Sequence, residues 1–451
     1  MPFPSPSPLR EGTAPRRVLA LADDLSGAAE TAVALGAPAR IVLGPASLDP
    51  HAYGEAVVVD LDCRCLPAAD AARRVREALR AVPPDVLVLK KADSLLRGNL
   101  AAETAACADG TGTGTEGVVV ATALPALGRT VHGGVVHLDG VPLHATDAWR
   151  AESAAPPPSI SAALGDARTT LVPLAAVRGD ALPAVLREAV GAGHLPVCDA
   201  ETDSDLDLIA GAALACGPGV RLMGTGGLAA AVGRLLRRTD GTSAATTTGR
   251  TAPAPATAGG RRRRPLLVVV GTADPSAPAQ IAQLTERGAR HISVNPDALA
   301  SDVVNADIVN SAVVNSGVVS PSVEPLSFDE TSGGVTVLSI DSGPGIRPGS
   351  ARRLVSALAR FAADRAGDAD LVLTGGETAR RVLDALGVAH LSPLGQIHHG
   401  AVHALTPDGR HVVTRPGSFG DTDSLLRIAT ALRPDLPHLA HPHPHRKETS
   451  R

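Results

Sequence analysis

The sequence predicts an α/β protein built as two α/β domains with mainly parallel sheets and an active site in the cleft between them. Three observations predict this. Short Val/Leu/Ala runs without a polar face alternate with Ala-rich segments of helical spacing. The runs end repeatedly in polar clusters, and a Thr/Ala/Pro/Gly stretch closing on four arginines divides the chain near its middle. Runs apolar on both faces and separated by helices indicate parallel strands covered on both sides.

Residues 1–15 are Pro/Ser-rich, lack the apolar segment of a signal peptide and are expected to be disordered. In residues 16–237, "RVLALADD" leads into the helix "LSGAAETAVAL", "AVVVDLDCR" into "AADAARRVREALRAV" and "DVLVLKKADS" into "LLRGNLAAETAAC", and "GVVVATALPALGR" closes the set. The polar clusters then lie at the carboxyl edge of the sheet, where open α/β folds bind ligands. "MGTGGLAAAV" at 223–232 belongs to this domain or to the junction. Residues 238–264, with the Arg run, are a flexible linker by composition.

Residues 265–432 form the second domain, with strands predicted at "PLLVVV", "HISVN", "VTVLSI" and "DLVLT" and a hairpin in "AVHALTPDGRHVVTRPGSFG" turned by "PDG". The echo in "NADIVNSAVVNSGVV" is too short for a repeat architecture. Residues 433–451, including "HLAHPHPHR", are expected to be a disordered tail.

Net charge is -4 with 20% charged residues, and aromatics are 1%. That excludes the basic face of a nucleic-acid or anionic-membrane binder and the ring platforms of single-strand binders. No apolar stretch reaches membrane-spanning length. Five cysteines without a C-x-x-C pair fit a reducing cytoplasm. Homo-oligomerisation is left open.

Charge collects at the predicted strand ends of the first domain: Asp23 and Asp24, then Arg64, then Lys90, Lys91 and Asp93, then Arg129. Separate helix caps and salt bridges would explain any one of these. Four neighbouring strand ends carrying both signs fit a small polyhydroxylated anion, with Arg or Lys for its carboxylate and Asp for its hydroxyls.

The second domain offers small-residue loops after strands in "VVVGTADPSAPAQIAQL", "LVLTGGETARRVLDALG" and "TRPGSFGD". Such loops let backbone N–H groups approach phosphate oxygens, and tight turns are the plain alternative for each. "GTGTEG" precedes a strand where a dinucleotide fingerprint must follow one, and no G-x-x-x-x-G-K-[ST] occurs. Charge in one domain and phosphate-sized loops in the other point to phosphoryl transfer between two lobes, with "KKADSLLRGN" holding the acceptor.

"LADDLSGAAETA", "KKADSLLRGN", "ALPALGRTVHGGVVHLDGVPL", "LVPLAAVR" and "DAETDSDLDLIA" resemble the N-terminal domain of the four-carbon acid sugar kinase family. "GTADPSAPAQ", "TGGETARRVLDALG" and "VTRPGSFGDTDSLL" resemble its nucleotide-binding domain. The resemblance covers nearly the whole chain apart from the ends and the linker. It implies ATP-dependent phosphorylation of a tetronate such as D-threonate, D-erythronate or 3-oxo-tetronate. By position, it implies an acceptor held by Asp24, Arg64, Lys91, Asp93 and Ser94 with Arg97 and Arg129 close by. An aspartate, Asp24 or Asp93, is expected near the attacking hydroxyl, and neither spacing nor the resemblance picks one of them as the base. ATP is implied against Thr272 and Asp274, against the loop Gly375, Gly376, Glu377 and Thr378, and against Gly417 and Ser418. The chain departs from the family in carrying "GTAD" for a G-S-x-S loop and Glu377 for an Asp. Mg²⁺ is inferred from the chemistry of ATP, since no metal-ligand motif is present. The alternatives are a non-catalytic sugar-acid or nucleotide sensor on a degenerate kinase scaffold, and an NAD-linked sugar-acid dehydrogenase, for which no fingerprint is found.

Overall fold

The computed structural model describes residues 17–436 apart from 37, 49–55, 81, 84–85, 110–116, 151, 153, 240–263, 273, 297–312, 315–333, 342–350 and 418–419. The N-terminal stretch, most of the linker and tail, and Ser418 therefore lie outside the described residues. The chain divides into two compact units, Met1–Thr247 and Thr248–Arg451.

The first unit contains β1 (Arg17–Ala22), β2 (Ala39–Leu43), β3 (Ala56–Asp60), β4 (Val86–Lys91), β5 (Gly117–Ala121), β6 (Arg129–His132), β7 (Val135–Leu138), β8 (Val141–Pro142), β9 (Thr169–Val172), β10 (Leu195–Cys198) and β11 (Val220–Gly224). Its main sheet runs β2, β3, β1, β4, β11, β5, β10, β9, with every neighbour parallel. β3 and β4 are buried throughout, as their unbroken apolar runs require. From β1 the chain moves out to β2 and β3 on one side, then crosses to β4 on the other. The carboxyl ends of β3, β1 and β4 therefore surround a switch point, where this architecture leaves a crevice for ligands.

Helices α1 (Leu25–Leu35), α2 (Ala68–Leu79), α3 (Leu100–Ala108), α4 (Ile160–Ala163), α5 (Leu174–Val177), α6 (Leu182–Gly191), α7 (Asp203–Ala215) and α8 (Gly226–Thr239) connect these strands. α1 starts directly at the switch point, where the Asp24 side chain accepts the N–H of Gly27, and it stops at Gly36 with φ 64°. "MGTGGLAAAV" proves to be the turn from β11 into α8 within this unit. α8 runs on to Thr239, two residues into the stretch expected to be linker, because "RLLRRT" simply continues its helical spacing.

The sheet extends past the strands legible in the sequence. β2, β9, β10 and β11 are short and interrupted by Arg40, Pro196 or Arg221, or open on Thr169 and Thr170, so their apolar runs do not stand out. β6, β7 and β8 form a separate antiparallel sheet, tied to the main body by the paired Val131 and Ala200 backbones.

In the second unit, β12 (Leu266–Val270), β13 (Arg290–Val294), β14 (Val313–Val314), β15 (Val335–Ile340), β16 (Asp370–Thr374), β17 (His390–His398), β18 (Ala401–Leu405) and β19 (His411–Arg415) lie in the order β14, β13, β15, β12, β16, β19, β18, β17. The run from β13 to β19 is parallel, and both edges are antiparallel. The predicted hairpin is β18 and β19, turned at Gly409 with φ 75°. Helices α9 (Ala277–Thr285), α10 (Ala351–Arg365), α11 (Gly376–Ala385) and α12 (Ser424–Leu432) accompany this sheet. Leu266, Val268, Val337, Val372, Val413, Leu425 and Ile428 are among the residues of its core. The expected tail begins later than 433: Arg433 is buried against Asp370 at 2.9 Å, and Leu436 packs into that core.

Candidate active site

The register of β1 sets Ala22 beside Asp60 of β3 and Lys91 of β4, so the residues that follow these strands meet at one edge. Arg64 occupies the centre. Its Nε and Nη2 donate to Asp23 at 2.6 and 2.9 Å, its Nη1 donates to Asp24 at 2.8 Å, and Nη2 lies 3.6 Å from Asp93. One planar guanidinium thus joins three carboxylates from two strand ends, a geometry an ammonium could not reproduce.

Asp93 is committed further. It takes a two-pronged contact from Arg97, 2.8 Å on each oxygen, and the backbone N–H groups of Leu95 and Arg97 at 3.2 Å. Ser94 accepts from Nη1 of Arg129, which β6 delivers. Lys91 is buried, donates to the carbonyl of Ala92 at 2.9 Å and stands 3.5 Å from Glu30. The loop itself is bent hard, with Leu96 at φ 60° and Gly98 at φ 89°. A Cβ at Gly98 would lie 3.3 Å from Arg64 Cγ and 3.4 Å from Asp23 Oδ2, so glycine lets the loop close on the pair.

The three aspartates differ electrostatically. Burial opposes the charge on Asp93, but Arg64 and Arg97 outweigh it and hold the carboxyl well below the usual carboxylate range. Asp23 is likewise buried, yet Arg64 and then Lys90 keep it below its ordinary value. Asp24 moves the other way: burial and the neighbouring Asp23 charge raise it, against the pull of Arg64. The Arg64 guanidinium is held charged by all three. Asp24 is therefore the carboxylate of the set best suited to take up a proton, and Asp93 is a fixed anion.

In the second unit, β12, β16 and β19 are neighbours, with Val270 beside Thr374 and Thr374 beside Arg415, so their loops also meet at one edge. A Cβ on Gly417 would approach Thr272 Oγ1 to 2.6 Å and Gly375 Cα to 3.7 Å, which brings the three glycine-type loops together. Gly375 has φ 90° and precedes the N-terminus of α11, whose first turn contains Gly376, Glu377 and the buried Thr378. Asp274 turns back to cap its own loop, accepting from the N–H and hydroxyl of Ser276 at 2.9 and 2.6 Å. Behind these loops Arg415 is buried, which lowers it to about 10 against the attraction of Asp274, and it donates to Ser424 at 2.9 Å.

Residues 18–232 match a sugar-binding N-terminal domain and residues 267–425 a nucleotide-binding C-terminal domain. The chain is 34% identical over 435 residues to a D-threonate kinase of Cupriavidus necator, covering 92% of this chain and 97% of that one. It is 33% identical over 429 residues to a D-threonate kinase of Bordetella bronchiseptica, with 92% and 96% covered. The chain belongs to the four-carbon acid sugar kinase family. Its fold is shared with a Salmonella typhimurium protein described as a putative tRNA synthase, at a TM-score of 0.69 and 21% identity over 91% of this chain and 98% of that one.

Among the residues that the kinase resemblance singled out, Asp24, Arg64, Lys91, Asp93, Ser94, Arg97 and Arg129 come together in the first unit. Thr272, Asp274, Gly375, Gly376, Glu377, Thr378 and Gly417 line the neighbouring strand ends of the second. Four further residues around the Arg64 cluster were not singled out by role. Glu30 reaches Lys91, and its carboxylate lies against Gly226, where a Cβ would come within 2.5 Å of it. Asn99 donates to the carbonyls of Cys63 and Leu66 at 3.1 and 2.9 Å, fixing the loop that carries Arg64. Glu103 pairs with Lys90 at 2.6 Å, and Trp149 donates to Leu95. The two glutamates did leave a signal: each is the single charged residue of an otherwise Ala-rich helix, α1 or α3. Among the described residues, no helix is long and apolar enough to cross a membrane, and no group of three His, Cys, Asp or Glu could hold a metal ion.

Proposed function

We propose that this protein transfers the γ-phosphate of ATP to a hydroxyl of a four-carbon acid sugar, with D-threonate the acceptor its relatives favour. The observation that carries this reading is the Arg64 guanidinium joined to Asp23, Asp24 and Asp93 at the switch point, with Lys91, Arg97 and Arg129 beside it. Cations for a carboxylate and acceptors for hydroxyls stand within one crevice edge. Residues 16–237 take the acceptor and residues 265–432 the nucleotide.

In the reaction the acceptor hydroxyl oxygen forms the new P–O bond as the bond between the γ-phosphorus and the β,γ-bridging oxygen breaks. Asp24 takes the hydroxyl proton, because its raised carboxyl is the one able to hold it, while Asp93 positions Arg64 and Arg97. Backbone N–H groups at the N-terminus of α11 receive phosphate oxygens, and the close approach of Gly417 to Thr272, which a Cβ would prevent, holds the neighbouring loops together beside them. Mg²⁺ carried by the ATP phosphates would neutralise part of their charge. Dependence on ATP and five cysteines outside any disulfide support action in the cytoplasm.

The test is coupled ADP release with ATP and Mg²⁺ across D- and L-threonate, D- and L-erythronate, their 3-oxo forms and glycerate. One strongly preferred tetronate supports the assignment. A folded protein that binds ATP and turns over none of the panel defeats it.

A further inference from the structure

Beneath the Arg64 cluster lies a second set of charges that no ligand can touch. Lys90 and Cys63 are fully buried and Glu103 nearly so. Lys90 Nζ stands 2.6 Å from Glu103 Oε2 and donates to the Lys91 carbonyl at 2.7 Å. The other Glu103 oxygen accepts the Cys63 thiol at 3.2 Å. Cys63 immediately precedes Arg64, and the N–H groups of both donate to the Asp23 carbonyl at 2.9 and 3.2 Å. The chain of contacts therefore runs from β4 through α3 into the loop that carries Arg64, and from there back to the end of β1.

A buried ion pair is an expensive way to hold a fold together, since well-packed apolar residues of similar volume often do as well or better. The location of this one is informative. Lys90 also favours the ionised form of Asp23, and Asp23 is what grips the Nε and Nη2 edge of Arg64. Burial and the Glu103 charge push the Cys63 thiol up, so it stays protonated and able to donate. Glu103 is the shared node, taking Lys90 on one oxygen and the Cys63 thiol on the other.

We infer that Lys90, Glu103 and Cys63 are positioning residues: a buried brace that sets Arg64 against Asp23 and so governs acceptor affinity while leaving nucleotide affinity alone. This rests on the acceptor reading of the Arg64 cluster.

The test uses the full-length protein and two variants. Lys90→Met/Glu103→Leu replaces the pair by apolar residues of similar size, and Cys63→Ala removes only the thiol. D-threonate and ATP binding are each measured by titration calorimetry, which needs no turnover, beside thermal melting and a crystal structure of each variant. The double variant should melt at or above the wild-type temperature, bind D-threonate about tenfold more weakly and ATP unchanged, and show Arg64 displaced from Asp23. Cys63→Ala should shift in the same direction by a smaller factor, and it decides the question if the double variant does not fold. Wild-type acceptor affinity with Arg64 in place overturns the brace, as does an equal loss for both ligands. If the wild-type protein binds no tetronate, the acceptor reading falls, and the brace stands or falls on the Arg64 position in the variant crystals.

Discussion

Trp149 donates its indole N–H to the carbonyl of Leu95 at 2.8 Å, and it is the one tryptophan in the sequence. The bond ties it to the loop of Asp93 and Ser94. Tryptophan emission should therefore change on titration with D-threonate and stay constant with ATP alone. An emission change that follows ATP and not the acceptor would contradict the assignment of the two edges.

Arg64→Lys keeps the charge and loses the fork. Three aspartates would then compete for one ammonium, so kcat/KM for the acceptor should fall by about two orders of magnitude while KM for ATP stays within about twofold. Steady-state kinetics with each substrate varied in turn checks this.

Asp24→Asn and Asp93→Asn should fail in different ways. The first removes the proton acceptor, lowering kcat by about two to four orders of magnitude with little change in melting temperature. The second removes the buried charge between Arg64 and Arg97, costing about 3 kcal/mol of stability and raising acceptor KM. Because burial raises the Asp24 carboxyl, wild-type kcat should fall on the acid side at a pH above the ordinary aspartate value. A profile flat down to pH 4 would argue against Asp24 as the base.

Gly417→Ala places a methyl group against Thr272. The expected outcome is an ATP KM raised about tenfold, equivalent to about 1.4 kcal/mol, with acceptor affinity unchanged in direct binding measurements.

His403 is buried and sits 2.7 Å from His411, and burial together with that neighbour lowers it to about 4. Its folded value is below the unfolded one near 6.5, so the fold binds fewer protons than the unfolded chain between them. Stability should be full above about pH 6.5 and decline by up to about 3 kcal/mol as pH falls towards 4. The lowered Asp23 and Asp93 contribute their loss only below the ordinary aspartate value. In His403→Gln, melting temperature should depend less on pH across the histidine window, and an unchanged slope would count against this account.

The first-unit strands with unbroken Val and Leu runs were legible because burial on both faces leaves a local mark. The charges at their ends were legible because they interrupt that mark abruptly. β9 to β11 were not, since TTLV, LPVC and VRLMG mix polar or ring residues into edge or late-joining strands. The antiparallel sheet that delivers Arg129 has no comparable periodicity. Which acid meets which base was beyond the sequence altogether. Glu103 is 40 residues from Cys63, and Arg64 is 41 from Asp23; only the sheet order brings them together. "MGTGG" reads like a phosphate loop, yet its Gly226 lies against the internal carboxylate of Glu30, so the N-terminus of α8 already has an anion.

Leu96 holds a left-handed backbone conformation, which costs a residue of its kind about 1 kcal/mol or more. The Asp93 carboxylate and the Trp149 indole, bonded to its neighbours Leu95 and Arg97, keep it there. On the proposed assignment of this loop to the acceptor, its freedom is surrendered during folding and not at the moment of encounter. A substrate that meets it loses mainly its own entropy, and the heat of association should arise chiefly from polar contacts with a surface already in shape.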